Sequence, residues 1–338
     1  MGIDSTVPLV AVDSSDDASL LSMADKTKVV LTTVGPYQLY GSALVKACAT
    51  AGTDYVDLCG EPAWMHDMIT AYSDKAQATG ARIVFSCGFD SIPFDLGVYY
   101  LQEVSKKRLG MPCTTVKGRV RSMKGTFSGG TIASLRATLQ AVKEDKNVRK
   151  VLMNPFALTP GFEGPPQPPG VEPFFDEATQ SWATPFIMAP INTKNIHRSN
   201  MLLHHSYGSD FLYDEMMLTG PGEKGEKVAR YLASSTAMKD DPQQPGDGPT
   251  KQEREEGSYD VLFIGETADK RTVQVSVQGD RDPGYGSTCK MIVESALCLV
   301  DNPDLGSGGI WTTAPAMGST LIDRLQDKAG LTFTDETK

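Results

Sequence analysis

The chain has 338 residues, 40% hydrophobic and 22% charged, a balance that supports packed cores and more than one domain. Its net charge of −10 argues against broad binding along a phosphate backbone, which needs a basic patch, so no nucleic-acid partner is expected.

The first hundred residues alternate with a clear beat. Val7–Val12 reads as a short strand ending at Asp13, followed by a helix that starts at Ser14–Asp17 and runs to about Thr27. Lys28–Val34 is a second apolar run, stopped by Gly35-Pro36. Ser42–Ala51 is a helix with Gly52 just beyond it, Tyr55–Leu58 a strand ending before Gly60, and Pro62–Thr79 a helix closed by Gly80. Ala81–Cys87 is the next strand. Short, wholly apolar strands alternating with helices indicate a parallel sheet buried on both faces, hence an α/β class.

After Asp95 the rhythm changes. A helix over Leu96–Val104 precedes a strand at Thr115–Met123 and a helix at Gly130–Val142. Asn154–Pro173 and Pro242–Pro249 are loops rich in proline and glycine. Between them Met201–His205 and Phe211–Leu218 read as strands, with a helix near Lys227–Met238. Ser258–Gly265 and Arg271–Gln278 form an antiparallel pair, and helices at Ser287–Val300 and Ala314–Ala329 close the chain. Strands followed by helices suggest an α+β unit with a mixed or antiparallel sheet.

The cysteines, at 48, 59, 87, 113, 289 and 298, form no CxxC pair, and several sit in apolar stretches, as small buried hydrophobes in a reduced, cytoplasmic protein would. The histidines lack the spacing of metal ligands, so no metal site is expected. No stretch reaches the roughly 18–20 apolar residues of a membrane span, which leaves peripheral membrane or lipid association open.

Ligands of open α/β sheets bind beyond the carboxyl ends of the strands. Three strand-end loops stand there: Val34-Gly35-Pro36-Tyr37, Cys59-Gly60-Glu61-Pro62, and Cys87-Gly88-Phe89-Asp90-Ser91-Ile92-Pro93. Glycine and proline also simply punctuate strand ends, but three such loops in register point to a shared ligand edge. Tyr37 could donate a proton or pack against a ligand ring. Asp90 could orient a ligand, or act as a turn or helix cap. Ser128-Gly129-Gly130-Thr131 is a helix entry whose free N–H groups could touch an anion. Gly284-Tyr285-Gly286-Ser287-Thr288-Cys289 mimics a dinucleotide turn but ends in Cys and lacks the βαβ context.

The strings Val29–Tyr37, Gly52–Glu61 and Gly88–Asp95 resemble the saccharopine-dehydrogenase-like oxidoreductases. The resemblance continues through Gly125–Thr131, Pro185–Asn192 and Gly308–Thr312, and within the family these strings look most like the trans-acting enoyl reductases. It implies an N-terminally incomplete Rossmann-type domain (1–110), an α+β substrate and dimerisation domain (111–300) and a C-terminal helical segment (301–338). It also implies NADP as cofactor, with NAD open, a small-molecule or acyl substrate, and a homodimer. The cofactor would touch Val34, Gly35, Pro36, Tyr37, Gly60, Glu61 and Asp13; the substrate would touch Asp90, Ser91, Ser128, Gly129 and Gly130.

The family's opening strand, GxGxxG turn and helix are not found before Val7. The sequence is expected to enter at the third strand of the fold, with cofactor affinity reduced if the chain is complete. Reduction of an enoyl or related acyl group in lipid metabolism leads. Two alternatives stand beside it: a saccharopine-type dehydrogenase, and a non-catalytic scaffold that has lost cofactor binding.

Overall fold

The computed structural model describes residues 7–235 and 240–338. The short apolar runs of the first hundred residues form a parallel sheet of β1 (Val29–Leu31), β2 (Asp54–Val56), β3 (Arg82–Val84) and β10 (Gly309–Trp311), paired in that order. Around it lie α1 (Asp17–Ala24), α2 (Tyr37–Tyr40), α3 (Ser42–Ala51) and α4 (Pro62–Thr79). Helices α3 and α4 stop where the sequence says they should, because Gly52 (φ 78°) and Gly80 (φ 86°) take the left-handed turn without a Cβ penalty.

The second sheet is mixed and runs in the order β11 (Leu331–Asp335), β9 (Thr272–Gly279), β8 (Ser258–Thr267), β4 (Cys113–Lys124), β7 (Leu212–Gly220), β6 (Ser181–Pro185), β5 (Phe174–Asp176). Only β4 and β7 pair in parallel among its neighbours; the rest are antiparallel. Helix α5 (Ile92–Leu109) leaves β3 and packs on this sheet, and its apolar face joins α11 (Thr288–Asp301) and α12 (Thr313–Arg324) in the main core with Phe94, Leu96, Phe263 and Leu321. The remaining helices are α6 (Gly129–Glu144), α7 (Lys146–Met153), α8 (Ala189–Leu202), α9 (Gly222–Ser234) and α10 (Lys251–Glu256). The expected α/β sheet joined to an α+β unit is the architecture that forms.

Four expectations are corrected. Val7–Val12 is not a strand: β1 is the edge of its sheet among the described residues, and Val7, Leu9 and Val10 are exposed instead of paired. Met201–His205 is not a strand but the end of α8 and its exit turn, where His204 and His205 take left-handed backbone angles. The segment after 301 is not simply helical, since β10 and β11 add one strand to each sheet. The helix expected near Lys227–Met238 starts at Gly222 and ends at Ser234, and residues 236–238 lie outside the described residues. No helix among the described residues is long and apolar enough to cross a membrane.

Candidate active site

The carboxyl ends of β1–β3 are locked together by buried polar groups. Asp57, fully buried, accepts hydrogen bonds from Tyr55 Oη (2.9 Å), Cys59 N (2.9 Å) and Ser86 N (2.9 Å), which ties the loops after β2 and β3. Burial pushes its carboxyl up to about 7. Glu61 is equally occupied: it accepts from Tyr37 N (2.8 Å), Gln38 N (2.9 Å), Gln38 Nε2 (2.8 Å) and Ser134 Oγ (2.8 Å). Its carboxylate therefore fills the positive end of α2 and fastens α6 across this edge.

The other cofactor candidates divide. Tyr37 is buried, donating from Oη to Thr32 O (3.3 Å) and accepting from Leu58 N (3.0 Å), with its ring 5.6 Å from that of Trp64. Of its two readings, packing is the one this geometry favours. Val34 is exposed, and a Cβ on Gly60 would meet open space. Pro36, after a cis peptide with Gly35, forms the N-terminal boundary of α2. Asp13 accepts from Ser15 N (2.8 Å) and Ser15 Oγ (2.7 Å) in an exposed turn just before α1.

A second polar cluster stands where β3 hands the chain to the mixed sheet. Asp90, just beyond β3, is partly accessible and its carboxylate has no hydrogen-bond partner among the described residues, so it caps neither turn nor helix. Desolvation raises it to about 7. The adjacent Ser91 is buried and its Oγ accepts from Asn195 Nδ2 (2.8 Å) on α8. One turn earlier on that helix, Asn192 Nδ2 donates to Glu215 Oε1 (2.8 Å), and Tyr213 Oη donates to Glu215 Oε2 (2.7 Å). Glu215 is pushed up to about 8, first by burial, with Asp90 among the charges that raise it further. The Oδ1 atoms of Asn192 and Asn195 are both buried without a donor. Buried acceptors of this kind are costly unless something hydrogen-bonds to them.

Local structure explains the gathering. Pro190 sits in the first turn of α8, and Asn192 and Asn195, three apart, share one face. Tyr213 and Glu215, two apart on β7, share one face of the sheet, opposite Val116 and Gly118 of β4. Glycine is required there: a Cβ on Gly118 would stand 2.5 Å from Tyr213 Oη and 3.4 Å from Glu215 Cγ. Beside it, Arg119 turns to the other face and is fully engaged by Asp176 (2.5 Å) and Asp214 (2.8 Å).

The structure thus joins Asp90 and Ser91 to Asn192, Asn195, Tyr213 and Glu215, four residues that sequence reasoning did not single out as a site. The signals were a pair of asparagines at helical spacing and a carboxylate alternating with apolar residues in a strand. Ser128, Gly129 and Gly130 lie apart from this cluster: Ser128 caps α6 by accepting from Thr131 N (3.1 Å), and Gly129 N donates to Asp247 O (3.0 Å). The imitation dinucleotide turn is filled from within, since Asp282 accepts from Tyr285 N (2.9 Å) and Gly286 N (2.7 Å).

Comparison with known proteins follows the same division. Residues 5–84 match the family model described as the saccharopine dehydrogenase NADP binding domain, which makes NADP the cofactor of this fold. Rv2449c of Mycobacterium tuberculosis (strain ATCC 25618 / H37Rv) is 38% identical, over 95% of this chain and 83% of its own length. The trans-acting enoyl reductase of Mycobacterium bovis (strain BCG / Pasteur 1173P2) is 33% identical, over 94% of this chain and 82% of its own. Among solved structures, apo saccharopine dehydrogenase (L-Glu forming) from Saccharomyces cerevisiae aligns over 96% of this chain and 89% of that one, at 12% identity and a TM-score of 0.47. The chain belongs to the saccharopine dehydrogenase-like oxidoreductases, in the group that includes the trans-acting enoyl reductases.

Proposed function

We propose that this oxidoreductase uses NADPH to reduce an α,β-unsaturated acyl group of the lipid type, with Asp90 as the proton donor. The observation that carries the role of Asp90 is its placement: a carboxyl without a partner among the described residues, raised to about 7, at the meeting point of the two sheets and adjacent to Ser91, which Asn195 holds. A proton donor works best when its pKa lies near the working pH. The enoyl assignment draws support from the 33% identical relatives, which are named trans-acting enoyl reductases.

The described residues suit one end of the cofactor. The loops after β1–β3 hold no Lys or Arg, and the helix N-terminus there is filled by Glu61, so these loops fit the uncharged nicotinamide–ribose end and not the phosphates. Val34 and Gly60 would border that end. NADPH, when bound, supplies the hydride. The chain's own part is to orient and protonate. Ser91 and Asn195 hold the loop that carries Asp90, and the neutral Glu215 carboxyl keeps a second charge away from it. The free Oδ1 atoms of the two asparagines can accept from an amide or hydroxyl of a bound molecule.

Turnover of a crotonyl thioester, followed by loss of NADPH absorbance, tests the reading with Asp90→Asn beside the parent. The variant should bind NADPH as the parent does and lose activity by roughly a hundredfold or more, the usual worth of a general acid. Equal turnover by both proteins would remove Asp90 from the chemistry. Failure of the parent to oxidise NADPH with any enoyl thioester would remove the enoyl assignment.

A further inference from the structure

We infer that the hairpin of α6 and α7 is the docking face for an acidic carrier protein that presents the acyl group as a thioester; this rests on the enoyl-thioester reading above. The chain is acidic overall, yet residues 129–153 hold Arg136, Lys143, Lys146, Arg149 and Lys150 against only Glu144 and Asp145. All five cations are exposed, and none of them forms an ion pair among the described residues. The two carboxylates are turned to local work: Asp145 caps α7 by accepting from Asn147 N (2.7 Å), and Glu144 accepts from Gln140. Several surface cations elsewhere are paired, as in Lys106–Glu103, Lys227–Glu223, Arg230–Glu226 and Lys251–Glu255.

The chemistry of the occupant follows from what the hairpin keeps covered. Val148, Val151 and Leu152 lie at helical spacing on the inner side of α7 and are half-buried, while Lys146, Arg149 and Lys150 face outward. A basic helix without an outward apolar stripe suits an acidic protein surface better than a bilayer, which takes up an apolar face. Complementary charge of this kind steers association more than it adds contact energy.

Position completes the case. Helix α6 is fastened to the cofactor side through Ser134 and Glu61 (2.8 Å), and through Thr138 and Gln38 Nε2 (3.2 Å). At the far end of the hairpin, Lys194 Nζ donates to Leu152 O (2.8 Å), and in the loop that follows Arg198 NH1 donates to Leu158 O (2.6 Å). Both cations belong to α8, the helix that also carries Asn192 and Asn195. A carrier seated on the hairpin would therefore rest on the helix that builds the candidate site.

The test compares Lys146→Glu/Arg149→Glu/Lys150→Glu with a control of equal charge change, Lys75→Glu/Lys107→Glu/Lys224→Glu, on two substrates. One is a crotonyl group on a holo acyl carrier protein, the other a crotonyl N-acetylcysteamine thioester. For the hairpin variant, kcat/KM on the carrier substrate should fall on the order of tenfold, with weakened dependence on salt, and turnover of the small thioester should be unchanged. The control should match the parent on both. Equal losses in hairpin variant and control, or none in either, would overturn the proposal. If no thioester is reduced by the parent, the enoyl reading fails by itself. Direct binding of the holo carrier then decides: salt-sensitive binding lost only in the hairpin variant upholds the docking face. Absence of carrier binding overturns it, as does binding by the hairpin only to anionic phosphatidylglycerol vesicles.

Discussion

Glu215→Gln should make the protein less sensitive to rising pH. Glu215 is 2% exposed, and its carboxyl is raised from 4.5 to about 8 chiefly by burial. A carboxyl whose folded pKa is raised binds its proton more tightly in the native state, so stability is full below the unfolded pKa. It is then lost as the pH climbs toward the folded value, because only the unfolded chain ionises freely. Between about pH 5 and pH 8 a shift of this size costs on the order of 3 kcal/mol. Glutamine keeps the shape, can accept from Asn192 and can donate to Tyr213 Oη, but has no proton to lose. Urea unfolding across that range should show the parent losing stability relative to the variant, by a few kcal/mol at the alkaline end. Asp57 and Asp90 remain in both proteins, so their own linkage largely cancels. Identical pH dependence of parent and variant would refute the idea that Glu215 is held neutral.

Other changes probe the frame around the site. Gly118→Ala should cost about 1–3 kcal/mol by overpacking, read as a lower urea midpoint, because Tyr213 and Glu215 stand where the methyl would go. Asp54→Asn should cost about 3–5 kcal/mol in the same assay, since it leaves buried Arg82 without its counterion. Tyr37→Phe should lose only about 0.5–1.5 kcal/mol of stability and leave turnover intact, as expected for a phenol committed to Thr32 and Leu58.

Much of the parallel sheet was legible because punctuation is local chemistry. Gly52, Gly80 and Pro62 mark helix ends through backbone constraints that act within one turn. The strand at Val7–Val12 was misread for the opposite reason: a short apolar run cannot say whether a pairing partner lies alongside. Met201–His205 misled because a buried helix end and a strand look alike over five residues. Asp90 could be picked out as a strand-end residue, but its companions could not. Asn192, Asn195 and Glu215 come from α8 and β7, more than a hundred residues away, and become a site only through the register of β7 against β4. Tyr37, the more conspicuous candidate, has its hydroxyl spent on the loop that holds it.

The placement of β10 bears on how the chain is made. Residues 85–308 lie between β3 and the strand that pairs with it, so the parallel sheet stays open at that side until β10 has emerged. During synthesis the mixed sheet can assemble most of its strands first, while Ile83 waits for Ile310. Long-range pairing of this sort is slow to form and leaves an unpaired strand edge exposed meanwhile. The side of β3 that will receive β10 is therefore where a stalled or shortened chain would be caught by chaperones or by another copy of itself.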